Sequence, residues 1–156
     1  MRKKIILRER FWTRIKMTYE IVTKYIKDLS FKIKDAKSYF LLEKDIKNYT
    51  FVCDIKSVKL KEKIIQADIN LRLIPVNNTS KSNLDVKVEL SSIIQFNEIG
   101  SKDEMEKIIL INVPEEVYPS MRDVIIFLFK NSGFNKINIP EKIDFKRLYE
   151  SRKNQK

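Results

Sequence analysis

The sequence predicts an α+β fold, a four-stranded antiparallel sheet with two C-terminal helices packed on one face. Three observations carry that reading. Four stretches between Thr18 and Phe96 alternate apolar and polar residues at period two, as half-buried strands do. Short turn segments join the last three of them into a meander. Past Ser101 the apolar spacing changes to that of helices.

The first strand falls between Thr18 and Ile33. Tyr19, Ile21, Thr23 and Tyr25 alternate with polar neighbours there, and Ile26 to Phe31 continues extended. Asp35 to Leu42 reads as a connecting segment with room for a short helical turn. Its apolar run, Tyr39 to Leu42, is too short for a helix of its own. The second strand sets Tyr49, Phe51, Cys53 and Ile55 on one face, and continues through Val58 and Leu60. Lys61-Glu62-Lys63 is a charged turn. Ile65, Ala67, Ile69, Leu71 and Leu73 define the third strand. Pro75 to Asn83 is a turn by composition. The fourth strand alternates Leu84, Val86, Val88 and Leu90 with Asp85, Lys87 and Glu89, and extends to Phe96.

Ser101-Lys-Asp-Glu104 has the form of a capping box, with Ser101 as N-cap of a short helical or extended stretch through Ile111. Pro119 suits the first turn of the next helix, where its missing N–H is harmless. Met121, Val124, Ile125 and Leu128 then follow helical spacing, and Ile126, Phe127 and Phe129 make the helix apolar nearly all round. Gly133 suits the C′ position that ends it. Asp144 to Ser151 is the last helix, with Phe145, Leu148 and Tyr149 on one side. A helix lying on its own sheet needs one apolar stripe. The wider apolar surface of residues 121–129 fits a deeply buried core helix or one sandwiched against another subunit, and the single covered sheet face favours the second.

With 156 residues, one domain can bury roughly 68–70% of its unfolded surface without a disulfide or metal. The single Cys53 cannot form an internal bridge, which fits a reducing compartment, and a small hydrophobe in a strand is its plainest role. The sequence has no histidine, so the commonest general base and metal ligand are missing, and no zinc-type cluster of Cys and His exists. No secretory signal or membrane-length apolar run is seen, so a cytoplasmic protein without a stable membrane anchor is expected.

The net charge of +11 raises nucleic-acid binding as a class. Residues 1–16, however, hold seven basic residues against Glu9 alone, and so six of the eleven excess charges. Elsewhere lysines are interleaved with acids, as on a solvated surface, and no specific nucleic acid is expected. Residues 1–16 are set apart from a single domain over 17–156. They are expected to be poorly ordered, the other reading being a basic amphipathic helix with Ile5, Phe11, Trp12 and Ile15 on its apolar side.

Val117-Tyr-Pro-Ser-Met-Arg-Asp-Val-Ile presents an aromatic, a proline, two residues, an arginine and then an apolar helix. Gly133-Phe134 follows, and then Ile143-Asp144-Phe145 with Leu148-Tyr149. Upstream stands Tyr25-Ile-Lys-Asp28-Leu-Ser-Phe31. In this order and spacing the three segments resemble the SecB protein-export chaperone family, and they touch both ends of residues 18–150. The sequence departs from the family pattern at Ser91 to Ile94, where glycines are usual, at Arg147, where a small residue is usual, and at Pro140, a displaced proline. Its basic charge is a further departure, so a divergent member is expected.

The resemblance implies a holdase, with no catalytic residue, no cofactor and no metal. It would hold unfolded precursor proteins export-competent for the SecA translocase. Tyr39, Phe40, Leu42, Tyr49, Phe51 and Cys53 are the candidates for lining a client groove, against the alternative that they are plain core residues. Asp28 and Glu89 match the acids through which the family contacts SecA. Lys32 and Lys87 stand where a further acid and an apolar contact are usual, so half that patch is charge-reversed or lost. The expected assembly is a homotetramer, a dimer of dimers, with Met121, Val124, Ile125 and Leu128 in the interface. A SecB-like chaperone dedicated to one partner, such as an antitoxin, and a basic nucleic-acid-binding protein are the alternatives.

Overall fold

The computed structural model describes residues 17–77, 84–135 and 137–155. The basic extension expected over residues 1–16 lies outside them, as does the 78–83 part of the turn expected after Pro75. Strands β1 (Tyr19–Ile33), β2 (Tyr49–Lys61), β3 (Ile64–Pro75) and β4 (Leu84–Phe96) form one antiparallel sheet in the order β1-β4-β3-β2. β2, β3 and β4 are the expected meander. β1 returns beside β4, so β1 and β2 are the two open edges.

The alternation in β1 is broken twice. Register shifts fall between Ile21 and Thr23 and between Ile26 and Asp28. Each extra residue moves the following side chains to the other face. Thr23 and Tyr25, which share a face with Tyr19 and Ile21 by simple alternation, therefore lie opposite Ile93 and Ser91 on the outer face. The second bulge returns Leu29, Phe31 and Ile33 to the inner face, opposite Val88, Val86 and Leu84.

Residues 36–45 are a helix, not the connecting segment expected from sequence: α1 spans Ala36–Asp45 and is followed by a 3-10 turn over Ile46–Asn48. Topology supplies the reason. The chain must pass from one edge of the sheet to the other, about three strand spacings or ~15 Å, and ten helical residues rise about the same distance. Asp35 caps the helix, its carboxylate accepting the Ser38 N–H at 2.8 Å. Leu42 anchors it in the core.

Ser101 caps α2 (Lys102–Lys107) as expected, accepting the Glu104 N–H at 3.2 Å. The helical run does not stop there. It continues through a π turn, Ile108–Asn112, into α3 (Val113–Asn131). Pro119 therefore lies inside a helix and not in its first turn. The carbonyl it leaves unbonded within the helix belongs to Glu115, which is exposed to water. The π turn is placed where Pro114 needs it. A proline ring clashes with the carbonyl four residues back, and the wider turn, in which the Val113 N–H donates to Ile108, makes room.

α3 ends in a Schellman motif. Gly133 has φ of +85°, its N–H donates to Lys130 O, and the Phe134 N–H donates to Phe129 O. Phe129 and Phe134 close the motif edge to face at 5.6 Å. α4 (Phe145–Lys153) is capped by Asp144, which accepts the Arg147 N–H at 2.9 Å. The inner rows of β3 and β4 pack with Val113, Val117, Met121, Ile125 and Phe129 of α3 and Phe145 of α4 into one core on one face of the sheet.

Candidate functional site

The open edge of β2 carries an extended concavity. A cleft of about 920 Å³ begins between the first half of β2 and the segment from Ile137 through α4, and Tyr49, Phe51, Cys53, Tyr118, Ile143 and Leu148 supply its apolar walls. A small neck at Cys53, Ile55, Leu110 and Leu148 leads onward. Beyond it a second cleft of about 600 Å³ lies between Ile55, Ser57 and Lys59 of β2 and the α2 region, with Ile65, Ile99, Met105 and Ile109 among its apolar lining. These spaces lie in a row and share lining residues at each join, so they make a groove along the odd-numbered side chains of β2 from residue 49 to 59, about 34 Å of strand, narrowest at Cys53 and Ile55.

The backbone of the same residues faces outward. The Val76 N–H donates to Asn48 O at 2.7 Å, which puts the even-numbered backbone groups of β2 toward β3. Arg152 donates from Nη2 to Cys53 O at 3.0 Å from the opposite side, which puts the odd-numbered groups on the open edge. The residues that line the groove are thus also the ones with backbone donors and acceptors turned away from the sheet.

The groove wall opposite β2 is held from beneath. The Tyr118 hydroxyl donates to Pro140 O at 2.5 Å, and Arg122 Nε donates to Ile139 O at 3.2 Å. Tyr118 also meets Phe145 edge to face at 6.2 Å. Burial pushes the Cys53 thiol up to about 11, Arg152 pulling against it and Asp54 adding to it. At neutral pH it is a protonated, weakly polar part of the floor and not an activated nucleophile.

The six residues expected to line a groove divide. Tyr49, Phe51 and Cys53 lie in the cleft. Leu42 does not: it is 1% exposed and belongs to the core under α1. Tyr39 packs on Phe134 at 5.1 Å and donates its hydroxyl to Gly133 O, fastening α1 to the end of α3. Phe40 is 65% exposed, on α1 away from the cleft. The helical wall, with Ile143, Leu148 and Arg152, is the part that strand alternation does not reach. Its signal in the sequence is the one-sided spacing of the last helix.

The outer face of the sheet is polar. Asp28 and Glu89 stand directly opposite each other in the β1–β4 ladder, an arrangement that costs energy between like charges. Two lysines resolve it. Lys87 lies 2.9 Å from Asp28 and 3.6 Å from Glu89. Lys27, set free by the second bulge of β1, lies 2.7 Å from Asp68 and 3.9 Å from Glu89. Asp68 also accepts from Gln66 and Ser91. The Lys87 hydrogen bond holds the Asp28 carboxyl below its usual range. Burial pushes Asp68 up, but the bonds from Lys27, Ser91 and Gln66 outweigh it and leave the group lowered. Asp28 and Glu89 are therefore present on this face with their charge largely compensated.

Of the four residues expected at a subunit interface, Met121 and Ile125 are fully buried against the chain's own sheet. Val124 and Leu128 are half-buried on the flank of α3, Val124 still packing against the core, and Phe127 beyond them is 64% exposed.

A one-layer sheet backed by helices, with an apolar groove along an open strand edge, defines an α+β protein whose edge can accept an extended segment. The family model for the preprotein translocase subunit SecB matches residues 13–156. The chain is 34% identical over 137 residues to a putative protein-export protein SecB of Pelagibacter ubique (strain HTCC1062), covering 87% of this chain and 97% of that one. The chain belongs to the SecB family. It shares its fold with the SecB-like chaperone Rv1957 of Mycobacterium tuberculosis, solved in complex with a ChAD peptide from the HigA1 antitoxin. That match has a TM-score of 0.56 at 10% identity, over 78% of this chain and 89% of that one.

Proposed function

We propose that the protein is a holdase that keeps unfolded precursor proteins extended in the groove along β2 until they are passed to the SecA motor. One observation carries the reading: Tyr49, Phe51, Cys53 and Ile55 of β2 offer apolar side chains to the clefts, and the backbone groups of the same residues face the open edge. A client strand laid along that edge gains ladder hydrogen bonds that do not depend on its sequence. Its alternate side chains enter the clefts, removing apolar area from water at about 25 cal/mol per Å². Backbone pairing supplies generality, and repeated weak apolar contacts supply avidity. Neither requires a catalytic residue. Family membership supports both the holding role and the export route.

The outer face is the candidate surface for the motor, at Asp28 and Glu89. Their pairing with Lys87 and Lys27 means that a partner must compete with internal ion pairs. The apolar side of α3 at Val124, Phe127 and Leu128 is the candidate for assembly into a homotetramer. The deciding assay mixes the full chain with an unfolded secretory precursor. Stoichiometric amounts are expected to suppress its aggregation, and Phe51→Asp, which puts a charge on the groove floor, to lose most of that effect. Aggregation at an unchanged rate in the presence of the wild-type chain would overturn the reading. A dedicated role with a single partner would show as suppression for that partner and not for unrelated precursors.

A further inference from the structure

The two ends of the groove differ in charge. The larger cleft is lined by Lys47, Arg147 and Arg152, against one carboxylate, Asp144. That carboxylate is already engaged, capping α4 through the Arg147 N–H. The second cleft has Lys59 and Lys102 balanced by Glu62 and Glu106. Among the described residues, no carboxylate lies within ion-pair distance of Lys47 or Arg147 at the larger cleft. Arg152 is held across the strand edge, its Nη2 3.0 Å from Cys53 O and 3.5 Å from Asp54 Oδ1, with the side chains of Arg152 and Asp54 about half exposed. It occupies a backbone acceptor that an added strand would use.

We propose that the larger cleft selects extended segments carrying carboxylates among their apolar residues, with Arg147, Arg152 and Lys47 as the specificity-determining side chains. The inference rests on the holdase reading and names the client chemistry for that site. An incoming strand takes Cys53 O, releasing Arg152, and a client Asp or Glu at the rim replaces the bond that Arg152 gives up. A client lysine at the same place meets three cations and leaves Arg152 with no new partner. The charge-balanced second cleft accepts apolar residues without this preference, so the acidic part of a client lies at the Tyr49 end.

The test uses the full chain and three labelled peptides with one apolar framework of about ten residues, carrying two Asp, two Asn or two Lys at rim positions. Fluorescence anisotropy at low salt is expected to rank them Asp over Asn over Lys. The expected gap between Asp and Lys is roughly three- to ten-fold or more, the scale of two rim ion pairs. Raising the salt should close the gap. The double variant R147E/R152E should reverse the order, with its circular dichroism melt confirming that it folds. Equal affinities for the three peptides, or an unchanged order in the folded double variant, would overturn the charge selection while leaving the holdase reading intact. Failure of all three peptides to bind the wild-type chain would overturn both.

Discussion

At the scale of single residues, Asp68 shows how the outer face is kept stable. It is 8% exposed, in the centre of the sheet, and receives bonds from Lys27, Gln66 and Ser91. Its carboxyl is held lower in the folded chain than in the unfolded one. The folded state therefore binds fewer protons, and the stabilisation is present above the unfolded value of about 3.9 and is lost as pH falls through the lower folded value. Urea melts of the wild type between pH 2 and 5 are expected to show stability falling with acid. Asp68→Asn should be less stable at pH 5 but depend less on pH across that window. A parallel pH profile would place the acid sensitivity elsewhere. The bonding that makes Asp68 tolerable was not legible in sequence, because Lys27 reaches it only through a bulge that strict alternation cannot represent. Cys53 and Phe51 were legible, since their face follows from period two alone.

At the scale of elements, the open edge of β2 leads to a paired expectation. The Ser57 N–H faces the open side, whereas the Lys56 N–H faces β3. Ser57→Pro is expected to keep the fold, as proline does on edges where its missing donor faces outward. It should nevertheless weaken client binding by removing one edge donor. Lys56→Pro removes a ladder bond and should lower unfolding stability by at least about 1 kcal/mol. Equal client affinity for Ser57→Pro and the wild type would count against strand addition. All four strands and both C-terminal helices could be read from periodicity and caps. The helix α1 could not, because its length answers to the width of the sheet it crosses, and sequence alone left the strand order open. Pro119 misled for a related reason. Proline marks a helix start where its neighbours are irregular, but here the preceding residues were already helical through the π turn.

At the scale of the whole molecule, the two sides of α3 should respond differently to charge. Phe127→Glu lies on the side away from the sheet, and light scattering is expected to report a smaller species with a nearly unchanged melt. Ile125→Glu buries a carboxylate in the core without a partner and is expected to destabilise the chain by several kcal/mol. A wild-type monomer in solution would remove the case for a tetramer. The sequence pointed to α3 as unusually apolar, yet it could not say which residues serve the core and which the far side. That division depends on how the helix is rotated over β4.

The strand order also sets a timetable for synthesis. Tyr19 pairs with Phe96, 77 residues further along the chain, so β1 is made first and cannot dock until β4 has emerged. At about 5–20 residues per second, that interval is roughly 4–15 s. During it Val22, Tyr25, Ile26 and Leu29 have no sheet to join. Sheets closed by such distant pairings also fold slowly, on the order of milliseconds to seconds once the chain is complete. A protein suited to keeping others from premature association must itself pass through a period in which its first strand is unattached.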